Sequence, residues 1–144
     1  MTTSLFSWLN CALNPILLYD WETACENCPD GWHLPSDDEW TELTDYLGGE
    51  NLAGGRMKET GTTHWNSPNI ANNASGFTAL PGGYRCDGGG FDLMGKNALF
   101  WSSTENDKYT HLAWERHLGS VYGDIYRGYD YKNCGFSIRC VKDK

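Results

Sequence analysis

The stretch SDDEWTELTDYLGG, residues 36–49, carries a full set of helix signals, and the chain after it abandons the helical period. Ser36 with Glu39 three residues on forms a capping box, Asp37, Asp38 and Glu39 fill the first turn where the helix dipole favours acids, and Gly48-Gly49 ends it. Trp40, Leu43 and Leu47 share one face. A second, shorter helix is expected over residues 52–58, weakened by Gly54 and Gly55. From there glycine and proline punctuate the chain. HWNSPNIANNASG reads as polar loop, FTALPGGYR as a short strand entering a Pro-Gly-Gly turn, and DGGGFDLMGKN as a further glycine-rich excursion. ALFWSST suits a buried strand; AWERHL alternates, with Trp114, Arg116 and Leu118 on one side and Glu115 and His117 on the other; GFSIRCV alternates again. Two early helices and a twisted, mostly antiparallel set of short strands define an α+β class.

The 144 residues suffice for one domain with a proper core and are few for two, so a single domain over 1–144 is expected, with an N-terminal arm at 1–17. A formal charge of -8 repels phosphate backbones and anionic membranes, which argues against nucleic acid as a partner. SLFSWLNCALNPILL is apolar but lacks a basic leader and is too short to span a bilayer, so no direct membrane insertion is expected. LNC lacks the small residue that a lipid-attachment cysteine at Cys11 would want before it.

Six cysteines (Cys11, Cys25, Cys28, Cys86, Cys134, Cys140) leave the redox compartment open. Cys25-x-x-Cys28 has the spacing of half a zinc site, but no second CxxC or HxxxH completes it, and no metal or other cofactor is expected. The tryptophans at 21, 32, 40, 65, 101 and 114 are read as core side chains rather than sugar platforms. His33 is read as a buried hydrogen-bonding residue with no carboxylate and nucleophile to complete a triad, and no catalytic residue is assigned.

VYGDIYRGYDYKNC, residues 121–134, shows neither a helical period nor a clean strand alternation. It holds four of the chain's eight tyrosines among glycines and aspartates, the composition of a binding surface with rigid amphipathic anchors and small adaptable neighbours. The same residue types also make ordinary turns and edge strands.

CPDGWHLPSDDEWTEL, AGGRMKET, GFTALPGGYR, FWSSTE, AWERHL and GFSIRCVKD together resemble the Fibrobacter succinogenes major paralogous domain from about Leu18 to the C-terminus. That family is similar to the formylglycine-generating enzymes, so the resemblance implies a C-type lectin-like fold of that subtype. It does not carry the chemistry across: those enzymes use a reactive cysteine pair upstream of the closing strand, and Trp101 to Gly135 offers only Cys134. Calcium-mediated sugar binding finds no matching oxygen cluster either. Cys28 and Cys140 lie inside family motifs, which implies a disulfide between them, and Cys134 is expected as a free thiol.

The family also resembles the variable proteins of diversity-generating retroelements, which display a hypervariable C-terminal surface; here the variable region would be 104–142. Trp114, Arg116, Leu118, Arg127 and Lys132 look like framework. Between them stand His117, Gly119, Ser120, Tyr122, Gly123, Asp124, Tyr126, Gly128, Tyr129, Asp130, Tyr131, Asn133 and Cys134, the expected ligand-binding residues. Each is encoded by a codon that differs from an asparagine codon only at its two adenines. Glu, Gln, Met and Trp are unreachable that way and are absent from 117–134. Asn106, Asp107, Tyr109, Thr110 and His111 are candidates for the same surface, whereas Glu115 breaks the rule. The expectation is a non-enzymatic display protein at a cell surface or on a phage particle, with a protein or cell-surface ligand. An undiversified carbohydrate-binding or adhesion module and a formylglycine-generating-type oxidase stand as alternatives.

Overall fold

The computed structural model describes residues 8–9, 17–86 and 89–144. Cys11 and the rest of the arm before residue 17, apart from Trp8 and Leu9, lie outside the described residues. The elements in chain order are β1 (Trp8–Leu9), α1 (Trp21–Glu26), β2 (Trp32–His33), α2 (Asp37–Tyr46), α3 (Glu50–Met57), β3 (Tyr84–Arg85), β4 (Phe91–Asp92), β5 (Asn97–Glu105), β6 (Leu112–Gly119), β7 (Tyr126–Tyr131) and β8 (Cys140–Lys142). The class is α+β. Among the described residues three small antiparallel sheets form, in the orders β1-β8-β2, β3-β4 and β5-β6-β7.

Both reciprocal arms of the capping box are made at Ser36 and Glu39, and α2 begins where the sequence reading put it. Among the described residues three helices stand where two were expected. The additional one, α1, is capped by Asp20, whose Oδ1 accepts from the Thr23 amide at 2.9 Å, and at six residues is too short to show a period. VYGDIYRGYDYKNC contains a strand after all, because β7 takes its conformation from pairing with β6 rather than from its own alternation. GFSIRCV is ladder only at its end, its first residues making isolated bridges to Tyr19, Arg85 and Phe100. In FTALPGGYR only Tyr84 and Arg85 form strand.

β5 explains its apolar run by being covered on both faces. Ala98 and Phe100 join Trp40, Leu43, Met57, Trp65 and Leu118 beneath α2 and α3, while Leu99 and Trp101 pack with Ala24, Leu34, Ala113, Phe136 and Ile138 beneath α1. Of the six tryptophans assigned to the core, Trp40, Trp65 and Trp101 are fully buried and Trp21, Trp32 and Trp114 are half-buried.

Cys28–Cys140 is present, with Cα atoms 5.8 Å apart, and ties the approach to α2 to the closing strand. Cys134 is not a free thiol: it is bonded to Cys86 across the sheet edge. Sequence order could not pair these residues, since 48 positions separate them. Among the described residues the free cysteine is Cys25, whose pKa burial pushes up to about 11, so the Cys25-x-x-Cys28 pair is split. His33 is half-exposed and does meet carboxylates, Glu39 at 2.9 Å and Asp143 at 2.5 Å. Burial lowers its pKa, but those two acids outweigh it and the net shift is upward.

Candidate ligand-binding surface

Pairing of β6 with β7 sorts the tyrosine-rich stretch onto two faces. Trp114 opposes Tyr129 and Arg116 opposes Arg127 on one; His117 opposes Tyr126, Glu115 opposes Gly128 and Ala113 opposes Asp130 on the other. The first face meets the start of α2. Asp37 takes Arg116 on one carboxylate oxygen and Arg127 on the other, each at 2.7 Å, and the Arg127 guanidinium stacks 3.5 Å over Trp114, which Tyr129 meets edge-on. Burial opposes ionisation of Asp37, yet hydrogen bonds from Arg127 and Arg116 prevail and hold its carboxyl below the usual range.

The second face floors a cleft of ≈ 660 Å³ whose lining includes Glu115, His117, Tyr126 and Asp130, with Tyr84, Cys86, Leu93 and Cys134 from neighbouring segments. Glu115 is only 5% exposed, and its Oε2 has no hydrogen-bond partner. Burial first, then the charge of Asp130, pushes its pKa up to about 8 against the opposing pull of Arg116. Burial likewise lowers the pKa of His117, partly countered by Asp124, and its Nε2 faces the Asn97 side-chain amide at 2.5 Å. A neutral imidazole accepting from that amide satisfies both observations.

The loop joining the strands is held from beneath by a cation. Lys58 is fully buried, and its Nζ donates to the carbonyls of Gly119 (2.5 Å), Ser120 (3.2 Å) and Tyr122 (2.6 Å). Burial pulls its pKa down to about 8, Asp124 partly opposing, so at pH 7 the ammonium retains three hydrogens for three acceptors. Backbone amides add to this: Gly55 donates to Gly123, Ile70 to Ser120, and Ile125 to Glu50. α3 approaches so closely that a Cβ on Gly54 would sit 1.8 Å from the Asp124 carbonyl oxygen. The glycines that weaken the helix by propensity are the ones that admit the loop.

The expected ligand-binding residues therefore divide. Tyr122, Tyr126, Tyr129 and Tyr131 are 51–65% exposed, and Asp124 and Asn133 are exposed as well. His117, Gly123 and Asp130 are half-buried; Gly119, Ser120, Gly128 and Cys134 are buried. They do not share one patch: His117, Tyr126, Gly128, Tyr129, Asp130, Tyr131 and Cys134 line the cleft, Tyr129 also meeting Trp114 edge-on, while Gly119 to Asp124 form the loop. Tyr131 stacks on His111, which in turn neighbours Tyr109, extending the surface into the β5–β6 loop. Glu115, Tyr84, Cys86 and Leu93 belong to the cleft and were not among the expected residues. For Glu115 the alternation of AWERHL held the signal, a carboxylate on the His117 side of an otherwise buried strand.

Residues 9–142 match the family model described as the Fibrobacter succinogenes major domain. No curated protein and no solved structure matches the chain.

Proposed function

The chain belongs to the Fibrobacter succinogenes major domain family, and on that premise we propose that it is a non-enzymatic ligand-binding display protein, C-type lectin-like in fold, whose surface around β7 is exchanged by a retroelement. One observation carries the reading: the backbone of 117–134 is anchored throughout while its tyrosines face solvent. Lys58, the β6–β7 ladder and the Asp37 ion pairs with Arg116 and Arg127 hold the main chain from framework positions, so most side chains can change without changing the fold. A tyrosine orders only two torsions on binding and brings large contact area, and a buried aromatic at an interface centre is worth ~2 kcal/mol or more. Glu115, the residue outside the codon rule, is buried and thus framework by position. The ligand is a protein or cell-surface molecule met at a cell surface or on a phage particle.

The test is the surrounding DNA. A near-copy of the segment encoding 104–142, differing at adenines and lying beside a reverse transcriptase gene, is expected; absence of any such copy from the intact locus overturns the diversification.

The oxidase alternative gains one observation, since Cys134 has a partner and the pair lines the cleft. Turnover of a thiol peptide by the protein would favour it. The carbohydrate alternative loses platforms: Trp40, Trp65 and Trp101 are buried, Trp114 lies under Arg127, and Trp21 has the Lys132 ammonium 4.2 Å from its ring.

A further inference from the structure

We propose that the cleft on the Glu115 face of the β5-β6-β7 sheet receives a basic side chain of the ligand, its ammonium or guanidinium head seated between Glu115 and Asp130. This gives chemistry to the surface described above and rests on that reading only in taking the cation to be a partner's side chain.

The floor of the cleft is acidic and incompletely satisfied. Glu115 is buried with Oε2 unpartnered, and an orphaned carboxyl oxygen of this kind is costly to leave without a hydrogen-bond partner. Asp130 reaches the same cleft from β7 and is close enough to raise the pKa of Glu115. Among the described residues the neighbouring cations are engaged elsewhere: Arg116 and Arg127, the latter at the edge of the cleft, both bond Asp37, and His117, with its pKa lowered by burial, is neutral at pH 7.

Space and walls suit a stem with a cationic head. Gly128 leaves the floor open where a Cβ would come 2.4 Å from Glu115 Oε1, and Tyr84 and Tyr126 line the cleft with aromatic side chains, a residue type that attracts cations. The volume of ≈ 660 Å³ exceeds what one side chain fills, leaving room for the ligand backbone at the rim. Glu115 is fixed by position, while Tyr126, Asp130 and His117 belong to the exchangeable set. A constant acid beneath a variable rim would let different ligands be read around a shared basic anchor, and the net charge of -8 favours approach of cations.

Binding and protonation are coupled. Unliganded Glu115 keeps its proton up to about pH 8, with Asp130 and Arg116 the charges acting on it and His117, Tyr84, Tyr126 and the Cys86–Cys134 disulfide around it. An arriving cation stabilises the carboxylate, and the proton leaves to solvent. Affinity should therefore rise as pH increases from 6 to 9.

The experiment titrates the whole protein with n-butylguanidinium and n-butylammonium, following backbone amide resonances, with neutral N-butylurea as the isosteric control. Saturable shifts at Glu115, His117, Tyr126 and Asp130 are expected for at least one cation, with N-butylurea at least about tenfold weaker. Glu115→Gln and Asp130→Asn should each weaken the cation about tenfold, and Glu115→Gln should abolish the pH dependence. Asp130 is half-buried, so its variant decides the matter if Glu115→Gln alters the fold. No saturable shift with either cation up to ~100 mM, equal binding of N-butylurea, or binding indifferent to the substitutions would overturn the proposal. The outcome is independent of the gene neighbourhood: cation binding without a template copy leaves this cleft assigned and removes only the diversification, and a template copy without cation binding does the reverse.

Discussion

Tyr122, Tyr126, Tyr129 and Tyr131 stand in solvent within a few residues of Gly128, whose Cα supports a buried carboxylate, and the two kinds of position should respond differently to substitution. Replacing any one of the tyrosines by serine removes exposed surface and leaves the backbone anchors in place. Each such variant is expected within ~0.5 kcal/mol of the parent in urea denaturation. Gly128→Val puts atoms where Glu115 Oε1 and the Tyr126 ring lie, at 2.4 and 2.9 Å from a Cβ, and should cost ~1–3 kcal/mol. Equal tolerance at all these positions would mean that Glu115 moves freely, contrary to its burial. The codon pattern treats Gly128 and Tyr129 alike; their opposite burial comes from strand parity in the β6–β7 pair.

At the scale of elements, two buried charges attach helices to the sheet that carries the surface. Lys58, at the end of α3, saturates three carbonyls of the β6–β7 loop, so Lys58→Met strands buried acceptors and should destabilise by ~3 kcal/mol. Faster amide exchange in 119–125 than in β5 would show that the loop, rather than the core, is released first. Asp37, in the first turn of α2, holds Arg116 and Arg127, and Asp37→Asn leaves Arg116 buried beside a neutral partner at a cost of ~3 kcal/mol. The sign with pH follows from the depressed pKa in the fold. The contribution is present above the ordinary value of 3.8 and is lost as pH falls through the lower folded value, so parent and variant stabilities should converge in acid. A constant difference down to pH 2 would assign the loss to shape rather than charge.

At the scale of the whole molecule, two disulfides among the described residues close loops spanning 112 and 48 residues. By loop-closure entropy they contribute about 5 and 4 kcal/mol. Cys28–Cys140 closes the β8 side and Cys86–Cys134 the cleft side, so Cys86→Ala with Cys134→Ala should loosen the cleft and lower the unfolding midpoint while β1-β8-β2 persists. Non-reducing peptide mapping checks the pairing. Detection of a Cys28–Cys86 or Cys134–Cys140 linkage would contradict the fold. No helix among the described residues is long and apolar enough to cross a membrane.

What the sequence determined by itself was local or periodic. The capping box at Ser36 and Glu39, the buried run of β5 and the alternation of β6 are properties of neighbours in the chain, and local hydrogen bonding and side-chain parity suffice to express them. Family motifs extended that to the Cys28–Cys140 bridge, and composition marked 121–134 as tyrosine-rich, with the makeup of a binding surface. The tertiary structure alone decided β7, which is strand because β6 supplies its hydrogen bonds, and the partner of Cys134. It also decided which of the tyrosines line the cleft, and the position of Glu115 under Gly128. Each of these depends on which distant segment comes to lie opposite, and burial, pairing and the pKa of a carboxyl are set by that neighbour rather than by the residues beside it in sequence.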